Sequence, residues 1–240
     1  MSAPPPTQVG FLLGIVKAAA KRTDHALPPH LTPLAENREV PTFENLGQAL
    51  EQAGQSLTDD QCACLFANIA NVCVKDGEMA DGGLLHQAAN SLRLETADAN
   101  DVTEAVETRY HTAKVFRSDE DWSLFCAGLF AMAEADEELV AAEQAYLQRF
   151  VPDLDYIAAG KKLCVAEGAN VTEKLAGFNN RQKRCFAAHA IAIMFIDGLW
   201  KGTEQEFMDL AAKRLLIVQF DLARLLKGLF TLFNVRVFAD

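Results

Sequence analysis

Apolar residues recur along this chain with the spacing of one helix face, and the pattern returns three times. Residues at positions i, i+4, i+7 and i+8 form a single stripe along an α-helix. The three stripes consist of Leu65, Ile69, Val72 and Cys73, of Phe125, Leu129, Met132 and Ala133, and of Phe186, Ala190, Ile193 and Met194. Each stripe ends in an acidic stretch, and a second apolar run follows at residues 84–92, 145–150 and 207–216. The sequence therefore predicts a repeated helical hairpin, near residues 60–94, 122–152 and 183–217.

These hairpins predict an all-α fold, a helical bundle of repeated antiparallel helical hairpins. Helical periodicity extends from residue 42 almost to the end of the chain, and the alternating β-branched runs that strands require do not occur. A last helix is expected after the third repeat, with Asp221 as its N-cap. Its apolar stripe consists of Leu222, Leu225, Leu226, Leu229 and Phe233.

The first 41 residues differ from the rest in composition. They hold all but one of the eight prolines, a density that prevents regular structure over most of the stretch. The chain is therefore expected to divide into a proline-rich N-terminal tail, residues 1–41, and an all-helical domain, residues 42–240. Residues 9–22 could form a short helix with a basic end. Two alternatives stay open for it: contact with a membrane surface or a protein partner, and docking on the chain's own domain.

Composition narrows the classes of function. The chain has 33 acidic and 22 basic residues and a net charge of −11, which argues against nucleic-acid binding because that depends on neutralising phosphates. No uncharged apolar run of about 18 residues is present, and the start of the chain lacks the basic segment of a signal peptide. The six cysteines include no CxxC pair, and most lie in apolar helical runs, so buried free thiols are expected. These features favour a cytoplasmic protein.

An aspartate stands at the end of each apolar stripe. Asp76, Asp136 and Asp197 are 60 and 61 residues apart. A carboxylate at a helix C-terminus faces the negative end of the helix dipole, which costs roughly a few tenths of a kcal/mol, so its recurrence indicates a further role. Two roles are open. The aspartates could cap the next helix or hold the turn, with Gly77 and Gly198 in the left-handed conformation, or they could bind a hard divalent cation.

Further acids follow these aspartates. Seven residues beyond them stand Glu143 in the second repeat and Glu204 in the third. In the first repeat the same position is Gly83, and the nearest acids are Glu78 and Asp81. A carboxylate on a turn and another on the following helix could converge on one ion. None of the three stretches has the alternating acids and final glutamate of an EF-hand loop.

The order of apolar helix, Asp-Gly, acids, glutamate and apolar helix resembles the tellurite-resistance TerB-like family. The third repeat is the most similar, the second has Glu137 in place of the family's glycine, and the first would be an additional copy. The resemblance implies a helical bundle that binds a divalent cation (Ca²⁺, Mg²⁺ or Mn²⁺), with a non-enzymatic role in tellurite or general stress resistance. The ligands it implies are Asp136, Glu143, Asp197 and Glu204, with Asp76 and Glu78 as a further set. The alternative is a metal-independent interaction or scaffold module, with a protein partner, whose acidic turns are structural caps.

Catalysis is not expected from this sequence. It contains no Gly-rich phosphate loop, nucleophile elbow or His-Glu zinc motif, and its five histidines show no ligand spacing. His189 lies inside the apolar helix of the third repeat and is expected to be a hydrogen-bonded core residue rather than a base. The acids at 134–138 could pair for acid–base work, but clustered acids are more typical of a solvated face.

Overall fold

The computed structural model describes residues 7–36, 38–75, 77–133, 141–196 and 219–238, together with residues 213, 215 and 217. Over these residues the protein is all-α, as predicted, with one two-stranded sheet. Contacts between residues divide the chain into unit 1, residues 1–107 and 231–240, and unit 2, residues 108–230. This division does not coincide with the boundary predicted at residue 41. None of the described helices is long and apolar enough to cross a membrane.

Unit 1 consists of helices joined by short connections. Its helices are α1 (Gln8–Arg22), α2 (Thr32–Ala35), α3 (Leu46–Ser56), α4 (Asp59–Cys73), α5 (Gly82–Ser91) and most of α6 (Thr96–Tyr110). Strands β1 (Val74–Lys75) and β2 (Glu78–Met79) form the sheet, and 3-10 turns lie at Pro29–Leu31 and Val235–Phe238. The first predicted stripe lies on α4, and all four of its residues are buried.

Helix α1 belongs to the core of unit 1. Thr7 caps its start by accepting a hydrogen bond from Gly10 N, and the helix packs against α3 and α4. Leu12, Ile15 and Val16 are fully buried. The apolar face of residues 9–22 is therefore covered by the protein itself. Of the two alternatives for this helix, the structure shows docking on its own unit. The apolar face that could have contacted a membrane surface is buried against α3 and α4.

Unit 2 contains the end of α6, then α7 (Thr112–Val115), α8 (Asp119–Ala133), α9 (Ala141–Phe150), α10 (Leu154–Glu167), α11 (Val171–Leu175), α12 (Asn180–Ile196) and most of α13 (Gln219–Phe233). A 3-10 turn lies at Gly168–Asn170. Helix α8 contacts α10, α11 and α12. The predicted stripes on α8 and α12 are buried wherever their side chains are described. Helix α13 begins at Gln219, so Asp221 lies in its first turn and is not the N-cap that the sequence predicted.

The end of α13 is held in unit 1 by a buried amide. Asn68 on α4 is fully buried, and its Nδ2 donates to Leu232 O at 3.1 Å and to Cys64 O at 3.0 Å. Its Oδ1 lies 2.8 Å from Nε2 of His30. A buried amide stabilises a fold when its donors and acceptor all have partners. Asn68 therefore joins three segments of unit 1 that are distant in sequence.

Candidate functional site

The first acidic turn is a short β-hairpin. Val74 pairs with Met79, and Lys75 with Glu78, across β1 and β2. Gly77 has a φ of 73°, the left-handed conformation expected for it, and an Asp-Gly pair is a strong local signal for a two-residue hairpin. The sequence predicted a direct helix–helix turn at this place. The two strands were not predicted because each is two residues long, too short to show an alternating pattern.

Asp81 follows the hairpin and begins helix α5. Its Oδ1 accepts a hydrogen bond from Leu84 N at 2.9 Å, the geometry of an N-cap. Its Oδ2 lies 2.6 Å from Nε of Arg22, the last residue of α1, and 18% of the Asp81 side chain is exposed. Both carboxylate oxygens are thus engaged within unit 1. This acid connects the turn to α5 and to α1.

Of the predicted cation ligands, Glu78 is the one whose side chain is described, and it lies exposed on β2. Asp76, Asp136, Asp197 and Glu204 lie outside the described residues, as does the side chain of Glu143, whose backbone belongs to α9. In the part of the chain that the structure describes, no three His, Cys, Asp or Glu side chains are grouped so as to hold a metal ion. The predicted cation site therefore stays a prediction.

A cluster of polar side chains is buried in unit 2 around His189. The imidazole Nε2 lies 2.7 Å from Oγ1 of Thr112 and 3.0 Å from the carbonyl oxygen of Arg109. Its Nδ1 lies 2.9 Å from the hydroxyl of Tyr146. All four residues are buried, and the contacts join α6, α7 and α9 to α12. The prediction that His189 is a hydrogen-bonded core residue is confirmed.

The partners of His189 define its tautomer. The Arg109 carbonyl can only accept, and the Thr112 hydroxyl donates to that same carbonyl, so the imidazole hydrogen is on Nε2. Nδ1 then accepts from the Tyr146 hydroxyl. Burial, and after it the charge of Arg109, lower the pKa of His189 to about 3. This histidine is therefore uncharged at neutral pH.

Arg109 is enclosed by aromatic side chains. Its guanidinium carbon lies 5.6 Å from the ring centroid of Tyr110 and 5.8 Å from that of Phe150, distances at which a cation is attracted to a ring. The same side chain hydrogen-bonds the Tyr146 hydroxyl, whose pKa burial raises. A fixed positive charge and a protonated phenol thus lie beside the neutral imidazole.

All six cysteines are free and buried, which confirms the expectation from the sequence. Burial raises the pKa to about 12 for four of them, Cys64, Cys73, Cys126 and Cys185. A thiol with so high a pKa is protonated at neutral pH. Because the thiolate is the nucleophile and the metal ligand, these four side chains are unsuited to either role in the folded protein.

An apolar groove lies on unit 2 between the end of α12 and helix α13. It has a volume of about 420 Å³ and is lined by Phe195, Ala223, Leu226, Lys227 and Phe230. Phe230 is 48% exposed, and its ring centroid lies 5.4 Å from that of Phe195. An open apolar lining of this kind is typical of a contact surface. Most of the chain between these two helices lies outside the described residues.

No local sequence pattern could have identified the partners of His189. Arg109, Thr112 and Tyr146 are 80, 77 and 43 residues away from it in the chain. Their contacts arise when three separate elements pack against α12. None of these three residues belongs to a recognisable motif in its own helical segment. The cluster can therefore be identified from the structure and not from the sequence.

Comparison with known proteins identifies no relative of this chain. No protein-family model, curated protein or solved structure matches the chain. The resemblance to the TerB-like family therefore rests on the motifs of the sequence, and family membership stays a prediction. The function has to be inferred from the residues and their geometry.

Proposed function

We propose that this protein is a non-enzymatic helical interaction module whose first acidic turn is a structural connector that binds no metal. The observation that carries this proposal is the Asp81 carboxylate, which caps α5 through one oxygen and pairs with Arg22 through the other. A cation that recruited this carboxylate would have to share its oxygens with Leu84 N and compete with the charge of Arg22. The geometry thus supports structural capping, the alternative that the sequence left open for the acidic turns.

The chemistry of the buried groups also supports a role in binding rather than in catalysis. His189 is neutral and fully enclosed, and its two ring nitrogens are engaged by protein partners. The thiols with raised pKa are protonated. A general base needs a pKa near the working pH and access to a substrate, and a nucleophilic cysteine needs a lowered pKa. These side chains meet neither condition.

A second candidate is a TerB-like protein of the cytoplasm that binds Ca²⁺, Mg²⁺ or Mn²⁺ and acts in tellurite or general stress resistance. One sequence feature favours it. The second and third repeats carry a glutamate seven residues after the aspartate, whereas the first carries Gly83. The proposed ligands are then Asp136, Glu143, Asp197 and Glu204. The two candidates are compatible if the first acidic turn is structural and the second and third acidic turns bind the ion.

Thermal melts of the EDTA-treated protein, with and without Ca²⁺, Mg²⁺ or Mn²⁺, test both candidates. A ligand that binds only the folded state stabilises it by about 2.7 kcal/mol at a hundred times its Kd. A metal-induced rise in Tm that is lost in the double variant Asp136→Ala, Asp197→Ala supports the second candidate. A rise that persists in this variant and is lost in Asp76→Ala contradicts the first.

Substitutions of Asp81 measure its structural role directly. Asp81→Ala removes both the cap and the ion pair, and a lost cap costs about 1 kcal/mol. Asp81→Asn keeps an acceptor for Leu84 N and removes the charge opposite Arg22, so a smaller loss is expected because exposed ion pairs contribute about 0–1 kcal/mol. Both losses should be the same in EDTA and in Ca²⁺. A loss seen in Ca²⁺ alone would show that Asp81 acts through a bound ion.

A further inference from the structure

His189 is the point at which three helical segments of unit 2 meet α12 through polar contacts. Two of these contacts, to the Arg109 carbonyl and to Thr112, use the hydrogen on Nε2. The third uses Nδ1 as the acceptor for the hydroxyl of Tyr146 on α9. Tyr146 and Leu147 are the buried side chains described on this helix, and α9 packs on α12.

The two sides of the imidazole respond differently to a proton. The Nε2–H group is a donor in both the neutral and the charged ring, so its contacts with α6 and α7 survive protonation. Nδ1 changes from an acceptor to a donor. The hydroxyl hydrogen of Tyr146 then loses its acceptor, and its oxygen faces donors from both Nδ1 and Arg109. The contact with α9 is therefore the one that protonation weakens.

Nearby charges increase this effect. The charged and titratable groups that face His189 from the described residues are Arg109 of α6, Tyr146 of α9 and Cys185 of α12. Helix α7 contributes Thr112. Rings of α8 and α9 make T-shaped contacts with the imidazole, with Phe125 at 5.2 Å and Phe150 at 4.8 Å between ring centroids. The one charge among these groups is positive. A protonated imidazole in this buried cluster is repelled by Arg109, and exposure of the imidazole to water removes this repulsion.

We propose that protonation of His189 releases α9 from α12, so that this side of unit 2 opens locally in mild acid. The detached helix exposes the imidazole, while the Nε2 contacts hold the ring to α6 and α7. This inference does not depend on the proposed function, because it rests on the contacts of His189 and on none of the acidic residues.

The direction of the pH dependence follows from the two states. In the closed state the pKa of His189 is lowered to about 3 by burial and by Arg109, and in water it is about 6.5. The free energy that favours the closed state is therefore at its full value above pH 6.5, and it decreases as the pH falls toward 3. The opening equilibrium shifts by up to tenfold per pH unit, which amounts to at most about thirtyfold at pH 5 when the open imidazole has its pKa in water.

Hydrogen exchange of the backbone amides tests this proposal on the full-length chain. Exchange at pH 7 and pH 5 is corrected for the intrinsic rate, and the opening constant of α9 is compared with that of α10. We expect the opening constant of α9 to rise by about tenfold to thirtyfold, and that of α10 to rise much less. An unchanged α9, or an equal rise in both helices, would overturn the proposal.

Two histidine variants provide the matched control. His189→Gln removes the titrating group, so α9 should lose its pH response, whereas His86→Gln at an exposed site on α5 should retain it. If His189→Gln does not fold, nitrogen NMR of the wild-type imidazole provides the second measurement. We expect the protonated ring to appear together with loss of α9 protection. Protonation of His189 with α9 still protected would contradict the release.

Discussion

The packing of α8 against α10 depends on Gly160. A Cβ added at this residue would overlap the Cβ of Cys126, and it would lie 2.9 Å from the backbone nitrogen of Ala127. A side chain can rotate away from such a clash, but the backbone of α8 cannot. Gly160 is buried in α10, so no solvent-facing space is open to the new atom. We therefore expect Gly160→Ala to push the two helices apart.

Two effects of opposite sign set the magnitude. Replacing glycine by alanine inside a helix stabilises by about 1 kcal/mol. Overpacking a well-packed core destabilises by about 1–3 kcal/mol, and occasionally by more. The clash involves backbone, and α8 with α10 form the most extensive helix contact among the described residues. The packing effect should therefore exceed the helix-propensity effect, with a net loss of up to about 2 kcal/mol.

Urea denaturation followed by tryptophan fluorescence measures this loss. The chain has two tryptophans, and one of them, Trp122 of α8, stacks on Tyr156 of α10 with ring centroids 5.9 Å apart. The matched control is Ala158→Gly at an exposed position of α10, which measures helix propensity without a clash. We expect a lower midpoint at an unchanged m-value for Gly160→Ala. A Gly160→Ala protein as stable as wild type or more stable would refute the close packing.

Two further predictions concern the buried polar atoms and the thiols. Asn68→Ala leaves Leu232 O and His30 without the amide, so we expect a loss of about 2 kcal/mol in thermal or urea unfolding. Asn90→Ala at an exposed site should change stability by less than about 0.5 kcal/mol. In a thiol-reagent assay at pH 8 the folded protein should react slowly, and all six cysteines should react in denaturant. Fast labelling in the folded state would contradict the burial of Cys64, Cys73, Cys126 and Cys185.

Helix periodicity predicted the buried faces well because burial follows the helix repeat locally. The stripe that contains Phe125 and the stripe that contains Phe186 both lie in the core of unit 2. Proline content was a poorer guide to the N-terminal region. No proline occurs between Pro6 and Pro28, so the prolines flank α1 without interrupting it. That helix is apolar along most of its length, and its burial in unit 1 follows from this rather than from the composition of the whole segment.

The three acidic turns differ at the fifth and seventh positions after the aspartate. In the first repeat position five is Asp81 and position seven is Gly83. In the other repeats position five is Ala141 or Gly202, and position seven is a glutamate. A Cβ on Gly83 would lie 3.5 Å from Oδ1 of Asp81, so any side chain at this position would begin in contact with the carboxylate that caps α5. The first repeat thus uses the carboxylate at position five in folding, whereas in the other two repeats the proposed ligand is the glutamate at position seven.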